Sequence, residues 1–249
     1  MRTIWDYSGR AYTYDKRADY SAVAINSLIQ KTIHSRSLPV ADIGAGTGKL
    51  TKMILRHSLP VNAVEPNRNM RAIGIENTKG QDVTWTDGLG EVTGLSDNSV
   101  QAAFFGSSFN VVDQNEALKE VARILIPNGW FACMWNHRDL SDSLQKEIER
   151  IIHNFIPDFD YGKRRQDPTK IIDGSNLFSK VEKIEERFVV SMKKTDIIDA
   201  WKSHGTLYRQ SGDNFDRVIE AISKELTSEV YKIPYFTRIW FSKSLVSIL

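Results

Sequence analysis

The stretch Pro39-Val40-Ala41-Asp42-Ile43-Gly44-Ala45-Gly46-Thr47-Gly48-Lys49-Leu50 decides the fold class of this chain. A short apolar run with an acidic residue leads into three glycines that alternate with small residues. Glycine is needed where the backbone takes positive φ or where a ligand comes close to the main chain. The pattern therefore predicts a buried strand that turns sharply into a helix and presents bare backbone to a nucleotide-like cofactor.

Two well-known glycine loops do not match this stretch. The dinucleotide-binding pattern G-x-G-x-x-G, counted from Gly44, requires a third glycine where Lys49 stands. The P-loop requires Ser or Thr where Leu50 stands, and an earlier glycine where Ile43 stands. The remaining pattern, G-x-G-x-G after a strand, resembles motif I of the class I S-adenosylmethionine (SAM)-dependent methyltransferases. A nicotinamide cofactor stays open as the alternative.

Length and composition limit the possible classes. The 249 residues are enough for one large α/β domain, alone or with a cap. Lys and Arg number 33 against 31 Asp and Glu, a net charge of +2, which argues against binding nucleic acid by bulk charge. The single cysteine, Cys133, excludes an intramolecular disulfide and fits a reducing compartment and a place in the core. No apolar run approaches the ~20 residues of a membrane span, and the N-terminus lacks a secretory signal. We expect a cytoplasmic protein, monomeric or homodimeric, with no nucleic-acid or membrane partner and no metal site.

Apolar runs and helical spacing alternate along the first half of the chain. Strands are predicted at 40–43, 61–64, 83–85, 100–105, 130–135, 181–192 and 233–242. Helices are predicted at 20–33, 47–57, 69–75, 116–125, 141–155, 195–203 and 214–226, with a turn at 127–129 and a loop over 157–176. Strands that alternate with helices indicate βαβ units and a parallel sheet. The expected division is a cofactor-binding core with an N-terminal lid over 1–140, cap elements with the sixth strand over 141–228, and a final strand over 229–249.

Small and polar residues follow each of the first five predicted strands. Because ligands of open parallel sheets bind at the carboxyl ends of the strands, these positions are candidate site residues. Glu65 follows the second strand, where its carboxylate can accept both hydroxyls of a ribose; a solvated loop acid is the alternative. The other groups are Gly44, Gly46 and Gly48; Gly88, Leu89 and Gly90; Gly106 to Asn110; and Asn136 to Asp139.

Several further segments resemble one family in order and spacing. They are Val64-Glu65-Pro66-Asn67 with Met70, Gly88-Leu89-Gly90-Glu91, 95–100 and 120–130. Together with the glycine turn they resemble class I SAM-dependent methyltransferases of the ubiquinone-biosynthesis-like, mostly small-molecule group. Segments 14–20, 134–139 and 234–240 are similar to the branch of that group that includes trans-aconitate-type methyltransferases.

The resemblance implies a Rossmann-like, doubly wound seven-stranded sheet with an antiparallel last strand and a mainly helical cap from 141–155 and 195–228. It implies SAM as cofactor, S-adenosylhomocysteine (SAH) as product and a small-molecule acceptor. It assigns ribose to Glu65, adenine to Leu89 and Gly90, and cofactor closure to Tyr14 and Arg17. The full set implied to contact the cofactor is Tyr14, Arg17, Asp42, Gly44, Ala45, Gly46, Gly48, Glu65, Pro66, Met70, Gly88, Leu89, Gly90, Ser107 and Phe109. Leu89 departs from the acidic or polar residue common in the family, so adenine here depends on packing and backbone contacts.

Methyl transfer from a sulfonium is an in-line displacement that positioning alone can accelerate, and a base is needed only for an acceptor proton of high pKa. His137 is the first candidate base, with a packed or surface histidine as an equal alternative. The branch commonly has His-Trp where Asn110-Val111 stands, so Asn110 marks a second catalytic position, with histidine assistance missing or moved. His204 is a weaker candidate base.

The acceptor has its own candidate residues. The expected set is Tyr7, Tyr12, Arg138, His204, Tyr208 and Arg209. Tyr7 and Tyr12 belong to an aromatic N-terminus that either lines a pocket for a flat acceptor or latches onto the core. For the basic run Lys163-Arg164-Arg165, a solvated loop is the favoured interpretation over an anion site. A planar heteroaromatic and a carboxylate metabolite both fit as acceptors.

The sequence thus predicts a SAM-dependent methyltransferase that acts on a small molecule, at nitrogen, oxygen or a carboxylate. Two other classes stay open. One is a nicotinamide-dependent oxidoreductase, against which Lys49 argues. The other is a non-catalytic subunit of the same fold that binds SAM and activates a partner.

Overall fold

A computed structural model describes residues 17–245 of the chain. One sheet contains seven strands: β1 (Val40–Ile43), β2 (Val61–Val64), β3 (Val83–Thr86), β4 (Val100–Gly106), β5 (Leu125–Arg138), β6 (Glu182–Lys193) and β7 (Val230–Lys243). Their spatial order is β3-β2-β1-β4-β5-β7-β6. Strands β1 to β5 pair in parallel, and β7 runs antiparallel to both of its neighbours. The predicted seven-stranded α/β sheet with an antiparallel last strand is confirmed.

Nine α-helices connect and cover these strands within the described residues. They are α1 (Ala22–Thr32), α2 (Lys49–Leu55), α3 (Arg68–Asn77), α4 (Gln114–Ile124), α5 (Ser143–Phe155), α6 (Thr169–Gly174), α7 (Lys194–Lys202), α8 (Gly205–Ser211) and α9 (Phe215–Glu225). Side-chain caps explain several starts: the Oδ1 of Asn67 accepts from the amide of Met70 at 3.1 Å, and Asp113 caps α4 in the same way. The periodic segments therefore became helices close to their predicted bounds.

Two predictions about irregular segments are wrong. The predicted loop over 157–176 contains a 3₁₀ turn, Gly162–Arg165, and helix α6. Helix α6 buries only Ile172, so it has no apolar periodicity to reveal it. Strand β5 begins at Leu125 rather than at 130, because the turn at 127–129 is a bulge within the strand. There Asn128 has a φ of +62°, and the β4 partners shift from Leu125 to Trp130.

The sheet separates two apolar clusters. One face packs Phe104 against helices α1 and α2, and the other packs Phe105 against α4. Adjacent strand residues point to opposite faces, which explains why Phe104 and Phe105 belong to different clusters. Both faces of β1 are covered, and its four residues are all buried.

A third apolar cluster joins four helices to strands β6 and β7. Helices α5, α7, α8 and α9 pack on one another with Ile152, Trp201 and Ile222 at their centre. Tyr235 of β7 belongs to this cluster and pairs with Arg138 at the end of β5. The helical elements therefore adjoin the carboxyl end of β5.

Candidate functional site

The glycine turn has the geometry that its sequence predicts. Gly44, Gly46 and Gly48 have φ values of +70°, +60° and +82°, in the left-handed region that side chains disfavour. A Cβ on Gly44 would lie 2.5 Å from the Cβ of Ser108, so this position also lacks room for a side chain. The turn joins β1 to α2 with its backbone bare.

Asp42 lies beneath this turn and is completely buried. Its Oδ2 accepts a hydrogen bond from the Oγ1 of Thr51 at 2.6 Å, whereas Oδ1 has no partner among the described residues. Burial raises the pKa of Asp42 to about 7, an effect that the Thr51 bonds oppose and the nearby Glu65 charge increases. An unpartnered carboxylate oxygen at a cavity is costly and suits a cationic ligand group.

Glu65, at the end of β2, is buried and supports the turn. Its two carboxylate oxygens accept from the amides of Gly46 and Asn67, each at 2.8 Å. Burial raises its pKa, and these two bonds and Arg71 oppose the shift. A carboxylate has about four acceptor sites, so both oxygens retain capacity for further donors. The ribose role stays a prediction, but the structure adds a second role in holding the turn.

Two cavities lie at the carboxyl ends of the strands. The first, which we call the turn cavity, has a volume of about 500 Å³ that is partly open to solvent. Its lining residues are Arg17, Ala18, Tyr20, Asp42, Gly44, Ala45, Lys49, Leu50, Gly106, Ser107, Asn136 and Arg164. The hydroxyls of Tyr20 and Ser107 are hydrogen-bonded at 2.8 Å at its edge. Five of the residues predicted to contact the cofactor, Arg17, Asp42, Gly44, Ala45 and Ser107, therefore meet in one cavity.

The second, the arginine cavity, has a volume of about 540 Å³, again partly open. Its lining residues are Arg17, Ala18, Asn136, His137, Arg138, Tyr161, Arg164, Arg165, Ala200, His204 and Tyr235. Arg17, Ala18, Asn136 and Arg164 line both cavities, so the two are contiguous across a shared wall. Sequence reasoning missed this wall, because its members come from the N-terminal segment, β5 and the 3₁₀ turn.

Asn136 fixes the shared wall. Its Nδ2 donates to the carbonyl of Asp19 at 2.8 Å, and its Oδ1 accepts from the Oγ1 of Thr237 at 2.6 Å. Arg17 is held from the other side, since its Nε donates to the Oγ of Ser203 at 2.9 Å. The point where the cavities meet is therefore built on β5, β7 and the residue after α7.

In the basic run 163–165, only Lys163 is solvated as predicted. Lys163 is exposed, whereas Arg164 and Arg165 line the arginine cavity. The guanidinium carbon of Arg165 lies 4.4 Å from the ring centre of Tyr161, and its Nη2 donates to the carbonyl of Arg138 at 3.0 Å. The interpretation as a solvated loop fails because an aromatic face and a strand end draw the arginines inward.

His137 is not available as a base in this structure. It is buried, with its Nε2 2.9 Å from the carbonyl of Arg164 and its Nδ1 3.4 Å from the Nη1 of Arg238. Burial and the charges of Arg164, Arg165 and Arg238 lower its pKa to about 3. A neutral imidazole has one donor and one acceptor nitrogen, and both are used here. In this structure His137 is a packed, hydrogen-bonded histidine, which favours the alternative to a base.

His204 caps a helix. Its Nδ1 accepts from the amide of Leu207 at 3.1 Å at the start of α8, which leaves the proton on Nε2. Burial and four nearby arginines lower its pKa well below the usual value. His204 lines the arginine cavity as predicted, but as a hydrogen-bond donor and not as a base.

Two further predicted residues belong to the packing around β5. Phe109 has no exposed surface, and its ring lies 5.3 Å from that of Phe105 and 5.2 Å from that of Phe131. The prediction that its side chain faces the cofactor is wrong, because it fills the core. The Oδ1 of Asn110 accepts from the indole nitrogen of Trp135 at 2.9 Å, and Asn110 lines neither cavity. The structure thus opposes a catalytic role for it.

Tyr208 and Arg209 are exposed residues of α8, and neither lines the arginine or the turn cavity. Their predicted contact with the acceptor stays a prediction. Tyr208 packs edge-on against Phe215 at 5.1 Å, and Arg209 reaches Thr206 at 3.4 Å. His204, which caps α8, lines the arginine cavity instead. Arg138 also lines that cavity, as predicted.

Gly88 and Gly90 lack side chains because of the chain's own packing. A Cβ on Gly88 would lie 2.4 Å from the carbonyl oxygen of Thr93, and one on Gly90 would lie 2.7 Å from Val112. Leu89, 44% exposed, stays a predicted adenine contact. Pro66 is exposed and Met70 packs beneath Gly46; neither lines a cavity. Tyr7, Tyr12 and Tyr14 lie outside the described residues.

The part of the chain that contains the glycine turn is similar to a known protein family. Residues 41–133 match the model of a family described as a methyltransferase domain. This segment of the chain is similar to that methyltransferase domain. The match runs from β1 to β5 and includes the turn cavity's residues Asp42, Gly44 and Ser107.

Relatives with curated names match over part of the chain. An uncharacterised methyltransferase of Mycobacterium tuberculosis is 38% identical over 113 residues, covering 45% of this chain and 46% of that protein. A ubiquinone/menaquinone biosynthesis C-methyltransferase of Caulobacter vibrioides is 26% identical over 164 residues, covering 59% and 65%. The chain thus spans about half the length of the first of these relatives, and the resemblance predicted from the sequence is confirmed at the level of the domain.

Solved structures share the fold over nearly the whole chain. The YcgJ protein of Bacillus subtilis has a TM-score of 0.57 at 13% identity, covering 90% of this chain and 99% of that one. Phosphoethanolamine N-methyltransferase 2 of Haemonchus contortus, in complex with S-adenosyl-L-methionine, has a TM-score of 0.56 at 15% identity, covering 98% and 58%. At these identities the likeness shows the fold.

Two features of residues 17–245 bear on other classes of protein. No helix in that range combines the length and apolarity that a bilayer span requires. In the same range no group of three His, Cys, Asp or Glu residues is arranged to hold a metal ion. Cys133 is buried, and burial raises its pKa well above the usual value.

Proposed function

We propose that this chain transfers a methyl group from SAM to a small-molecule acceptor. The observation that carries the proposal is the pair of contiguous cavities at the carboxyl ends of the strands, which share Arg17, Ala18, Asn136 and Arg164. One cavity is lined by Gly44 and Ala45 of the glycine turn, and the other is open to a second molecule. Two ligands in these cavities would meet at the shared wall, as a transfer reaction requires.

The residues of the turn cavity fit SAM. The unpartnered Oδ1 of Asp42 suits the α-ammonium of its methionine part, and the bare backbone from Gly44 to Gly48 allows close approach. Glu65 keeps acceptor capacity for ribose hydroxyls at the adjacent strand end. The H. contortus structure with the same fold contains S-adenosyl-L-methionine, which supports this choice. When bound, SAM supplies an electrophilic methyl group on sulfur.

The chain's own contribution to the reaction is position. Asn136 and Arg17 are held by hydrogen bonds, so the wall at which the acceptor meets the methyl group is preorganised. His137 and His204 have their acceptor nitrogens engaged and give the arginine cavity no ready base. An acceptor atom that is already deprotonated, or that loses its proton to water, suits such a site.

The arginine cavity is a partly open recess that aromatic side chains and a few charged and polar groups line, which is the character of a small-molecule site. We therefore include a small molecule, and not a protein or nucleic acid, as the acceptor in the proposal.

Calorimetric titration and a product screen test this function together. Titration with SAM, SAH and NADH should show binding of the first two only, since Lys49 replaces the third glycine of a dinucleotide site. Incubation with methyl-labelled SAM and a metabolite extract should transfer label to a small molecule. Tight NADH binding would support the oxidoreductase. SAM binding with no labelled product, combined with a changed partner activity, would support the non-catalytic subunit.

A further inference from the structure

The four arginines of the arginine cavity fall into two pairs. Arg17 and Arg164 line both cavities and lie at the shared wall. Arg138 and Arg165 line the arginine cavity alone, together with Tyr161, His204 and Tyr235. Two arginines therefore belong to the arginine cavity alone.

Aromatic rings hold these two guanidinium groups. The guanidinium carbon of Arg138 lies 4.1 Å from the ring centre of Trp201 and 5.9 Å from that of Tyr235. Arg165 lies 4.4 Å over Tyr161 and donates one bond to the carbonyl of Arg138 at 3.0 Å. Stacking occupies the faces of a guanidinium and leaves N–H donors at its edge for planar oxyanions.

Arg138 and Arg165 carry charge that no ion pair among the described residues neutralises. Four arginines line the arginine cavity. Glu149 is the acid whose charge acts on Arg165 and Tyr161, and it is hydrogen-bonded to Tyr161. Burial and the charges of Arg138 and Arg238 lower the pKa of Arg165. Gathering like charges in a partly buried site costs stability, which an anionic ligand would recover.

We propose that Arg138 and Arg165 form an anion subsite that binds a carboxylate or phosphate group of the acceptor. The proposal rests on the methyltransferase function proposed above and specifies its acceptor. The bound oxyanion lies beside residues that the turn cavity does not share, so it anchors the acceptor while another atom receives the methyl group. The product therefore keeps its negative charge.

Oxyanion titrations of the SAH-saturated chain test the subsite. Succinate, citrate and inorganic phosphate are each titrated calorimetrically at constant ionic strength. Tighter binding of succinate or citrate would indicate a carboxylate group on the acceptor, and tighter binding of phosphate would indicate a phosphate group. We expect saturable binding that Arg165→Gln and Arg138→Gln each weaken by about tenfold or more, the effect of a lost charged hydrogen bond. Lys163→Gln is the matched control, since Lys163 lies on the same turn but is exposed and lines neither cavity. It should leave the affinity unchanged.

The controls separate this subsite from the proposed function. SAH affinity is measured first for every variant and should not change, because neither arginine lines the turn cavity. If SAH does not bind the wild type, the proposed function fails; if SAH binds but none of the three anions does, the subsite fails. Equal weakening by Lys163→Gln would also overturn it. Arg165→Lys keeps the charge without the planar fork and should bind the anions with intermediate affinity. If Arg138→Gln does not fold, this variant tests the subsite in its place.

The labelled product gives an independent readout. A methylated product that keeps a remote carboxylate or phosphate is retained on an anion-exchange resin at pH 8. A labelled product that passes through the resin uncharged contradicts the subsite, even where methyl transfer itself is observed.

Discussion

The main-chain amide of Gly46 donates a hydrogen bond to the carboxylate of Glu65 at 2.8 Å. This bond joins the middle of the glycine turn to the end of the neighbouring strand, β2. The other oxygen of Glu65 accepts from the amide of Asn67, which caps helix α3. One buried carboxylate thus holds both the turn and the start of a helix.

Replacing Glu65 is expected to affect both folding and cofactor binding. Glu65→Ala leaves the buried amides of Gly46 and Asn67 without their acceptor and should lower the free energy of unfolding by ~1–3 kcal/mol. SAM affinity should fall by a similar ~1–3 kcal/mol if the carboxylate also receives the ribose hydroxyls. Urea unfolding and calorimetry measure the two effects. Glu76→Ala, at an exposed position of α3, is the control. Unchanged SAM affinity in folded Glu65→Ala would refute the ribose role.

Asp42→Asn should stabilise the unliganded chain at high pH and weaken SAM binding. In the folded chain the pKa of Asp42 is about 7, whereas the ordinary value is 3.8. As pH rises from 3.8 to about 7, the unfolded chain loses this proton and the folded chain retains it, so Asp42 lowers stability progressively. The substituted asparagine keeps an oxygen for Thr51 and removes the penalty. The variant's advantage in urea unfolding should be larger at pH 8 than at pH 4.

The same titration links Asp42 to its ligand. Because the ammonium of SAM favours the ionised carboxylate, binding near pH 7 should release protons from the wild type. Calorimetry in buffers of different ionisation enthalpy measures that release, which should be smaller for Asp42→Asn. Asp87→Asn, an exposed acid outside both cavities, should behave as the wild type. Equal proton release from all three proteins would exclude Asp42 as the ammonium partner.

The sequence was sufficient for the sheet and the turn because both depend on local patterns. Apolar runs predicted β1 and β4, and three glycines predicted the turn between β1 and α2. In the structure these glycines have positive φ. The distant part of the site was harder to predict. Arg164 and Arg165 reach the cavity through stacking and long-range contacts with β5, which leave no periodic signal in a short basic run.

Histidines were the least predictable residues. His137 lies near the end of β5 and His204 follows α7, at positions where a base would be useful, yet each is used for structure. A nearby carbonyl, Arg238 and the amide of Leu207 decide their roles, and these partners are between 3 and 101 positions away in sequence. Residue type and position alone could not distinguish a base from a buried hydrogen-bonding group.

The low pKa of His137 predicts a stability change in weakly acidic solution. The folded chain keeps His137 neutral to about pH 3, while the unfolded chain takes up a proton below the ordinary value of 6.5. Stability is therefore lost as pH falls from 6.5 towards 3. His137→Gln can bond to the Arg164 carbonyl and to Arg238 without titrating, so its unfolding free energy should fall less steeply between pH 6.5 and about 4.5.

The control for that comparison is His153→Gln, at an exposed position of helix α5. His204→Asn offers a second test, since asparagine can cap helix α8 as His204 does but cannot take up a proton. Each buried-site variant should flatten the pH dependence of urea unfolding, and the His153 variant should not. A slope for His137→Gln equal to that of the wild type would contradict the burial of a neutral imidazole.

Two alanine substitutions separate backbone strain from steric clash in the glycine turn. Gly44 and Gly80 have similar φ values, +70° and +75°, so alanine at either site should cost ~1–2 kcal/mol of left-handed strain. A Cβ on Gly80 meets nothing within 4 Å, whereas one on Gly44 lies 2.5 Å from the Cβ of Ser108. Gly44→Ala should therefore destabilise clearly more than Gly80→Ala in urea unfolding. Adding Ser108→Gly should recover part of the difference, and additive losses in the double variant would show that the clash does not exist.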